Sequence, residues 1–337
     1  MAVPTTIFID TSILDGCSYN FEAAAVHPII GVAKDRHISL LLPNVTEREM
    51  RRHIEARSDD AVKTLRTAQG RAPFLKKWKD WPLRSGHKIF LPTTLKRIAT
   101  KELDCFLSSL NVVKLDLSGV KLEEVMNWYE RGTAPFGSGR KKSEFPDAVA
   151  LACLLDYSHK HTEPVAVVSA DEDFRNACGV HSCLFYYKSL GSYVESLLLS
   201  DEHVQQVKSI LEAESEMIAD GIQEDFGNLG FYADDDEGAE LYDPEATNVE
   251  FTDLSLIAVG EREASVSFEA EVEFTIGVHV RSYDWRDDDA IRNVTRYAIV
   301  TGTAKLTINK EWSEFESVEL LELDELDVSV RTAEDEW

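Results

Sequence analysis

TTIFID, residues 5–10, runs through β-branched and aromatic side chains without polar alternation and stops on a carboxylate. A strand buried on both faces reads this way, because neither side of it meets water. HISLLLP (37–43), PVAVVSA (164–170) and SCLFYY (182–187) have the same character. Helical stretches lie between them: one near 21–33, and a long polar one that opens at Asn44 or Thr46 and runs to about Gln69. The apolar PDAVALACLLDYS has Pro146 at a first-turn position, where its missing N–H is tolerated. Strands alternating with helices predict a parallel α/β sheet covered on both faces.

The rest of the chain is organised around that pattern. Residues 71–143 read as a helical insertion, broken by Pro73, Pro82 and Pro92, with helical stretches near 93–110 and 120–131. FGSGRKKS (136–143) reads as a basic, turn-rich loop. A polar helix is expected from about Glu202 to Phe226, then an acidic linker, ADDDEGAELYDPE, at 233–245. From Asn248 the period becomes two. In SVSFEAEVEFTI (265–276) Val266, Phe268, Ala270, Val272 and Phe274 alternate with Ser and Glu, and 297–308 and 318–323 behave alike. Half-buried antiparallel strands follow. The expected organisation is an α/β domain over 1–200, a helix and linker over 201–245, and an acidic β-rich domain over 246–337.

The 337 residues hold 35 Lys+Arg and 61 Asp+Glu, a net charge of −26. The charge is uneven: 1–200 carry 26 basic and 24 acidic side chains, 201–337 carry 9 and 37. Residues 51–101 hold 14 basic and 4 acidic groups. A basic zone meets phosphate and the acidic half repels it, although both also read as solvated faces. No run of about 18 apolar residues is present, so no membrane span is expected. MAVPTTIFIDTS has no basic n-region, so no secretory signal is expected. Five cysteines without a CxxC pair read as reduced thiols of a cytoplasmic protein.

Acids stand where such a sheet binds ligands, beyond the carboxyl ends of its strands. Asp10 follows the first strand; Asp171 and Asp173, in SADEDF, follow the PVAVV strand; Glu49 and Asp147 stand early in helices. Carboxylates gathered in one place raise each other's pKa, and a hard divalent cation such as Mg²⁺ or Mn²⁺ relieves the repulsion. Such ions commonly handle phosphoryl groups.

In order and spacing, IFIDTS, VTEREM, EFPDAVAL and VVSADEDF resemble the PIN domain, a compact metal-dependent nuclease fold, over roughly residues 5–190. They are similar in particular to the larger PIN-like proteins, here with a β-rich C-terminal extension. The resemblance implies a pocket of Asp10, Glu49, Asp147 and Asp171, with Asp10, Asp147, Asp171 and, in some relatives, Asp173 on Mg²⁺ or Mn²⁺. It implies phosphodiester hydrolysis, in many relatives of RNA. Thr11 and Ser12 match the position that orients the first acid or a phosphate. Two departures stand out: the long insertion between Glu49 and Asp147, and the acidic extension.

Other readings stay open for single residues. Asp10 also fits a turn cap, and Thr46-x-x-Glu49 a capping box. Asp147 suits any first helical turn. Asp171 or Asp173 fits a cap for the helix near Phe174, with Asp171 preferred as ligand. Ser169 bonds a carboxylate or ends its strand, Glu144 supports the pocket or faces water, and His53 touches a phosphate or bonds structurally. Arg51, Arg52, Arg140, Lys141 and Lys142 are candidate backbone contacts to nucleic acid, or exposed solubilising charge. Single-stranded or looped RNA is the expected substrate, with DNA second. The acidic domain is expected to dimerise, to bind a regulatory protein, or to cover the basic zone. An aspartyl-phosphate phosphatase needs an Asp where Ser12 stands, and no Gly-rich phosphate loop occurs. The remaining rival is a non-catalytic PIN-like scaffold for nucleic acid or protein.

Overall fold

A computed structural model describes residues 3–23, 26–78, 91–136, 145–199, 202–235, 239–260, 262–280, 290–309, 311–324 and 327–332. The chain divides into two compact units. The first comprises 1–22 and 29–189, the second 23–28 and 190–337.

In the first unit the order is β1 (Thr6–Ile9), α1 (Thr11–Gly16), α2 (Pro28–Asp35), β2 (Ser39–Pro43), α3 (Asn44–Arg71), α4 (Leu91–Ser109), β3 (Asn111–Leu115), α5 (Leu122–Arg131), α6 (Phe145–His161), β4 (Val165–Val168), α7 (Glu172–Val180) and β5 (Leu184–Tyr187). The five strands form one parallel sheet in the order β3-β2-β1-β4-β5. The apolar runs produce it: all four residues of β1 and all four of β4 are buried. Phe8, Leu41, Val165 and Val167 pack against Leu151, Leu154 and Leu155 of α6 and Phe174 of α7. The chain builds outward from β1 through β2 to β3 and then returns to place β4 on the other side of β1. The crevice at such a reversal is where this class of sheet binds ligands, and its two walls end at Asp10 and Ser169.

Several elements differ from the sequence reading. The stretch near 21–33 is helical only from Pro28. α3 begins at Asn44 behind Pro43 with no side-chain cap, so Thr46 is not a capping residue. Thr46 lies instead in a buried stripe with Met50, Ile54, Ser58 and Val62, one residue per turn. The insertion 71–143 contains β3, an edge strand too short and too solvated to show as a buried run. Residues 137–144, which carry most of the expected basic loop, lie outside the described residues.

The second unit contains α8 (Leu190–Leu198), α9 (Glu202–Ala213), α10 (Glu216–Phe226), β6 (Gly230–Ala233), β7 (Leu241–Val259), β8 (Glu263–Val280), β9 (Ala290–Ile308), β10 (Phe315–Leu323) and β11 (Asp327–Val330). β10-β9-β8-β7 form an antiparallel sheet, and β6 and β11 a parallel pair. The alternation places Val266, Phe268, Ala270, Val272 and Phe274 in a core shared with Val207 and Leu211 of α9 and Ile218, Ile222 and Phe226 of α10. The single helix expected over 202–226 is two, broken where Glu214 turns its carboxylate to accept from Phe315 N at 2.8 Å. The expected linker is partly sheet: Ala233 closes β6 and Leu241 opens β7. Pro244 is tolerated there because β7 is an edge strand and its register shifts between Tyr242 and Glu245. The five cysteines are free thiols. Among the described residues no helix is long and apolar enough to cross a membrane.

Candidate active site

Asp10 leaves β1 just after the last buried residue of the strand. Its N–H donates to Val168 O at 2.9 Å, which carries the β1–β4 pairing one step past both strands. The side chain is only 5% exposed and is nevertheless well supplied with donors. Oδ1 accepts from Thr11 N at 2.8 Å, as the cap of α1. Oδ2 accepts from Ser12 Oγ at 2.5 Å and Ser169 Oγ at 2.7 Å. Ser12 Oγ in turn accepts from Ala170 N at 3.1 Å, and Ser169 Oγ from Asp171 N at 3.0 Å. Two hydroxyls thus lace the end of β1 to the loop after β4. Ser12 and Ser169 orient the first acid, as does Thr11 through its backbone. Burial raises the Asp10 pKa; the bonds from Ser12, Ser169 and Thr11 pull it back, and the charge of Asp171 adds to the rise.

Asp147, on the first turn of α6, faces the same crevice. Its pKa is pushed up to about 8, first by burial and then by the charges of Asp10, Glu49, Asp171 and Asp173. The Asp147 carboxyl therefore feels the charges of Asp10, Glu49, Asp171 and Asp173. Among the described residues Asp147 has neither a hydrogen-bond nor an ion-pair partner, and Asp10 and Asp171 form no ion pair with a basic side chain. Asp171 caps α7, its Oδ1 accepting from Asp173 N at 2.8 Å. The residue expected as ligand is therefore also the cap of α7, and among the described residues no hydrogen bond is made to its Oδ2.

Glu49 reaches the crevice from α3, on the flank of the buried stripe. Burial raises its pKa; His53 and Arg52 lower it, and Asp10 and Asp15 raise it. Arg52 Nη2 donates to Glu49 Oε1 at 3.2 Å. His53 stands one turn further on. Its Nδ1 is 2.8 Å from Asp15 Oδ2 and its Nε2 is 3.8 Å from Glu49 Oε1. Asp15 of α1 also accepts from Arg57, through the side chain at 3.3 Å and the backbone carbonyl at 3.0 Å. Sequence reasoning missed Asp15; its only signal was an acid five residues beyond Asp10, on the short helix that Asp10 starts.

Arg51 does not join this group. It is bound to Glu47 at 2.9 Å and Asp104 at 2.8 Å. Arg140, Lys141, Lys142 and Glu144 lie outside the described residues.

The fold and the acids agree with one comparison. The PIN domain family model matches residues 7–174, a span that starts inside β1 and ends on α7. Residues 7–174 of this chain are a PIN domain. The larger antiparallel sheet therefore follows the PIN domain as a separate extension. No curated protein and no solved structure gives a significant match.

PIN domains are generally nucleases and typically use divalent metal ions. Among the described residues, no three His, Cys, Asp or Glu side chains are drawn together tightly enough to enclose an ion. The donor chemistry nevertheless fits a hard cation, because the acids offer only oxygen, act on one another and leave the Asp147 carboxyl without a partner among the described residues. Mutual repulsion among like charges favours such an open arrangement, and a cation would draw it in.

Proposed function

We propose that this PIN domain is a divalent-metal-dependent endoribonuclease acting on single-stranded or looped RNA, with DNA as the second substrate class. The observation that carries the reading is the PIN domain match over residues 7–174, with Asp10, Glu49, Asp147 and Asp171 beyond the strand ends of its sheet and the Asp147 carboxyl raised by burial and by the other acids. A protein accepts that much uncompensated repulsion in one place where a cation or a reacting group is to be held.

Asp10, Asp147 and Asp171 are the residues that would hold Mg²⁺ or Mn²⁺, with Asp173 beside them. An ion there supplies Lewis acidity toward a phosphate oxygen and toward water. Ser12 and Ser169 keep Asp10 in one rotamer, so the ion's first ligand is fixed before substrate arrives. Glu49, steadied by Arg52 and by the His53–Asp15 pair, is placed to accept a proton from the attacking water. Water adds at phosphorus, the P–O bond to the leaving strand breaks, and that oxygen takes up a proton. Arg52 and the exposed Arg48 meet the backbone without reading its sequence. A flexible strand enters a recessed pocket more readily than a stiff duplex. The acidic extension is proposed to restrain binding or to take a regulatory partner.

The test is a Mn²⁺-dependent cleavage assay on mixed RNA and DNA, with Asp10→Asn as control. Metal-dependent RNA cleavage that the substitution abolishes supports the reading. Cleavage retained by Asp10→Asn contradicts it, and strand binding without cleavage by the wild type favours the scaffold.

A further inference from the structure

A cleft of about 370 Å³ opens between the start of α3 and the start of α6. That size falls within the range of small-molecule sites, roughly 300–1,000 Å³. Its walls are Val45, Pro146, Val149 and the ring of Phe145, and Glu49 lines it as well as the carboxylate crevice. Arg48 and Arg52 complete the lining. Arg48 is exposed and has no partner among the described residues. Arg52 is 71% exposed beyond its contact with Glu49. The Phe145 ring is braced by Tyr129 at 5.2 Å and Phe136 at 5.0 Å between centroids, so it is held in place before any ligand binds.

We infer that this cleft is a subsite for one unpaired nucleobase of the strand whose phosphate lies at the carboxylates. The inference rests on the nucleic-acid reading of that pocket. The ligand that suits the cleft is apolar and flat in its body and anionic at its edge. A nucleotide meets both demands: its base lies against Phe145, Pro146 and Val149, and its flanking phosphates face Arg48 and Arg52. An apolar peptide side chain would fill the walls and leave the Arg48 guanidinium without an anion. Val45, Phe145, Pro146 and Val149 carry no side-chain donor or acceptor, and the polar lining goes to the flanking phosphates (Arg48, Arg52) and to the Arg52–Glu49 pair, so the cleft registers that a base is there and not which base it is. A base paired and stacked within a duplex is not free to enter, which makes this a discriminator for single strands.

The test is a binding scan with the full-length Asp10→Asn protein and fluorescein-labelled single-stranded RNA, each base in turn replaced by an abasic unit. One position is expected to weaken binding about tenfold while the others do little. Val149→Trp, which fills the cleft, should weaken the intact strand by a similar factor and leave the strand abasic at that position unchanged. Arg48→Ala should lower the salt slope of binding by about one without altering which base position matters. A strand that binds with all abasic positions equivalent overturns the subsite and leaves the nuclease reading standing. A wild type that neither binds nor cleaves any strand overturns both. The abasic scan uses the unaltered cleft, so it decides the matter even if Val149→Trp fails to fold.

Discussion

At the scale of residues, the site depends on unequal treatment of similar carboxyls. Asp10 is the most enclosed, and its carboxyl accepts from three donors, Thr11 N, Ser12 Oγ and Ser169 Oγ. Among the described residues the Asp147 carboxyl has none, and it carries the repulsion of the others. Its folded pKa, about 8, lies well above the ordinary aspartate value of about 3.9. The fold therefore favours the protonated form, and stability is lost as pH rises from about 4 through 8. In metal-free protein, Asp147→Asn is expected to flatten that part of the Tm-against-pH curve; parallel curves for wild type and variant would contradict the assigned repulsion. On the proposed reading His53 would act through Glu49, as a positioning residue. His53→Ala should lower kcat about tenfold with KM nearly unchanged, and Asp15→Asn should do the same more weakly. An equal rise in KM would show that His53 binds substrate instead. The acids at strand and helix starts were legible in the sequence because a charge ending an apolar run is conspicuous. Asp15 was not, because nothing in a six-residue helix announces that its side chain turns toward a histidine 38 positions away.

At the scale of elements, α3 connects the core to the site. It packs against α4 and α6, Glu49 and His53 lie on one flank of its buried stripe, and the Glu47 network lies on the other. Glu47 accepts from Lys114 of β3 at 2.7 Å and from Arg51 at 2.9 Å, which ties the edge strand to the helix. Burial would raise the Glu47 pKa, but these two partners outweigh it and hold it below the usual range. Glu47→Gln should cost about 1–2 kcal/mol in urea denaturation while sparing metal binding. An unchanged midpoint would mean that the tie is solvated and idle. The central strands β1 and β4 were plain in the sequence because burial on both faces leaves an unbroken apolar run. β3 was not, because an edge strand half in water looks like loop. The capping box at Thr46 misled for a related reason: its spacing is also that of one core-facing helix turn.

At the scale of the whole molecule, the extension holds most of the negative charge, and part of it is self-opposed. Glu250 lies directly across from Glu271 in the β7–β8 ladder, a like-charge pairing that weakens a sheet. The full chain carrying Glu250→Gln, Glu271→Gln and Glu273→Gln should bind single-stranded RNA about two- to fivefold more tightly at low salt, with the gain vanishing at high salt. No gain at low salt would remove long-range repulsion as a role for the extension. The switch from mixed periodicity to strict alternation near residue 248 made the change of architecture readable, whereas the role of the acidic sheet is not encoded in any motif. On the proposed reading Asp10 beyond β1, Asp147 of α6 and Asp171 at the start of α7 would share one cation. Calorimetric titration of Mn²⁺ into wild type, Asp10→Asn, Asp147→Asn and Asp171→Asn tests it most directly. A single class of site in the wild type, weakened at least about tenfold by each substitution alone, is predicted; Mn²⁺ affinity left unchanged by all three would contradict it.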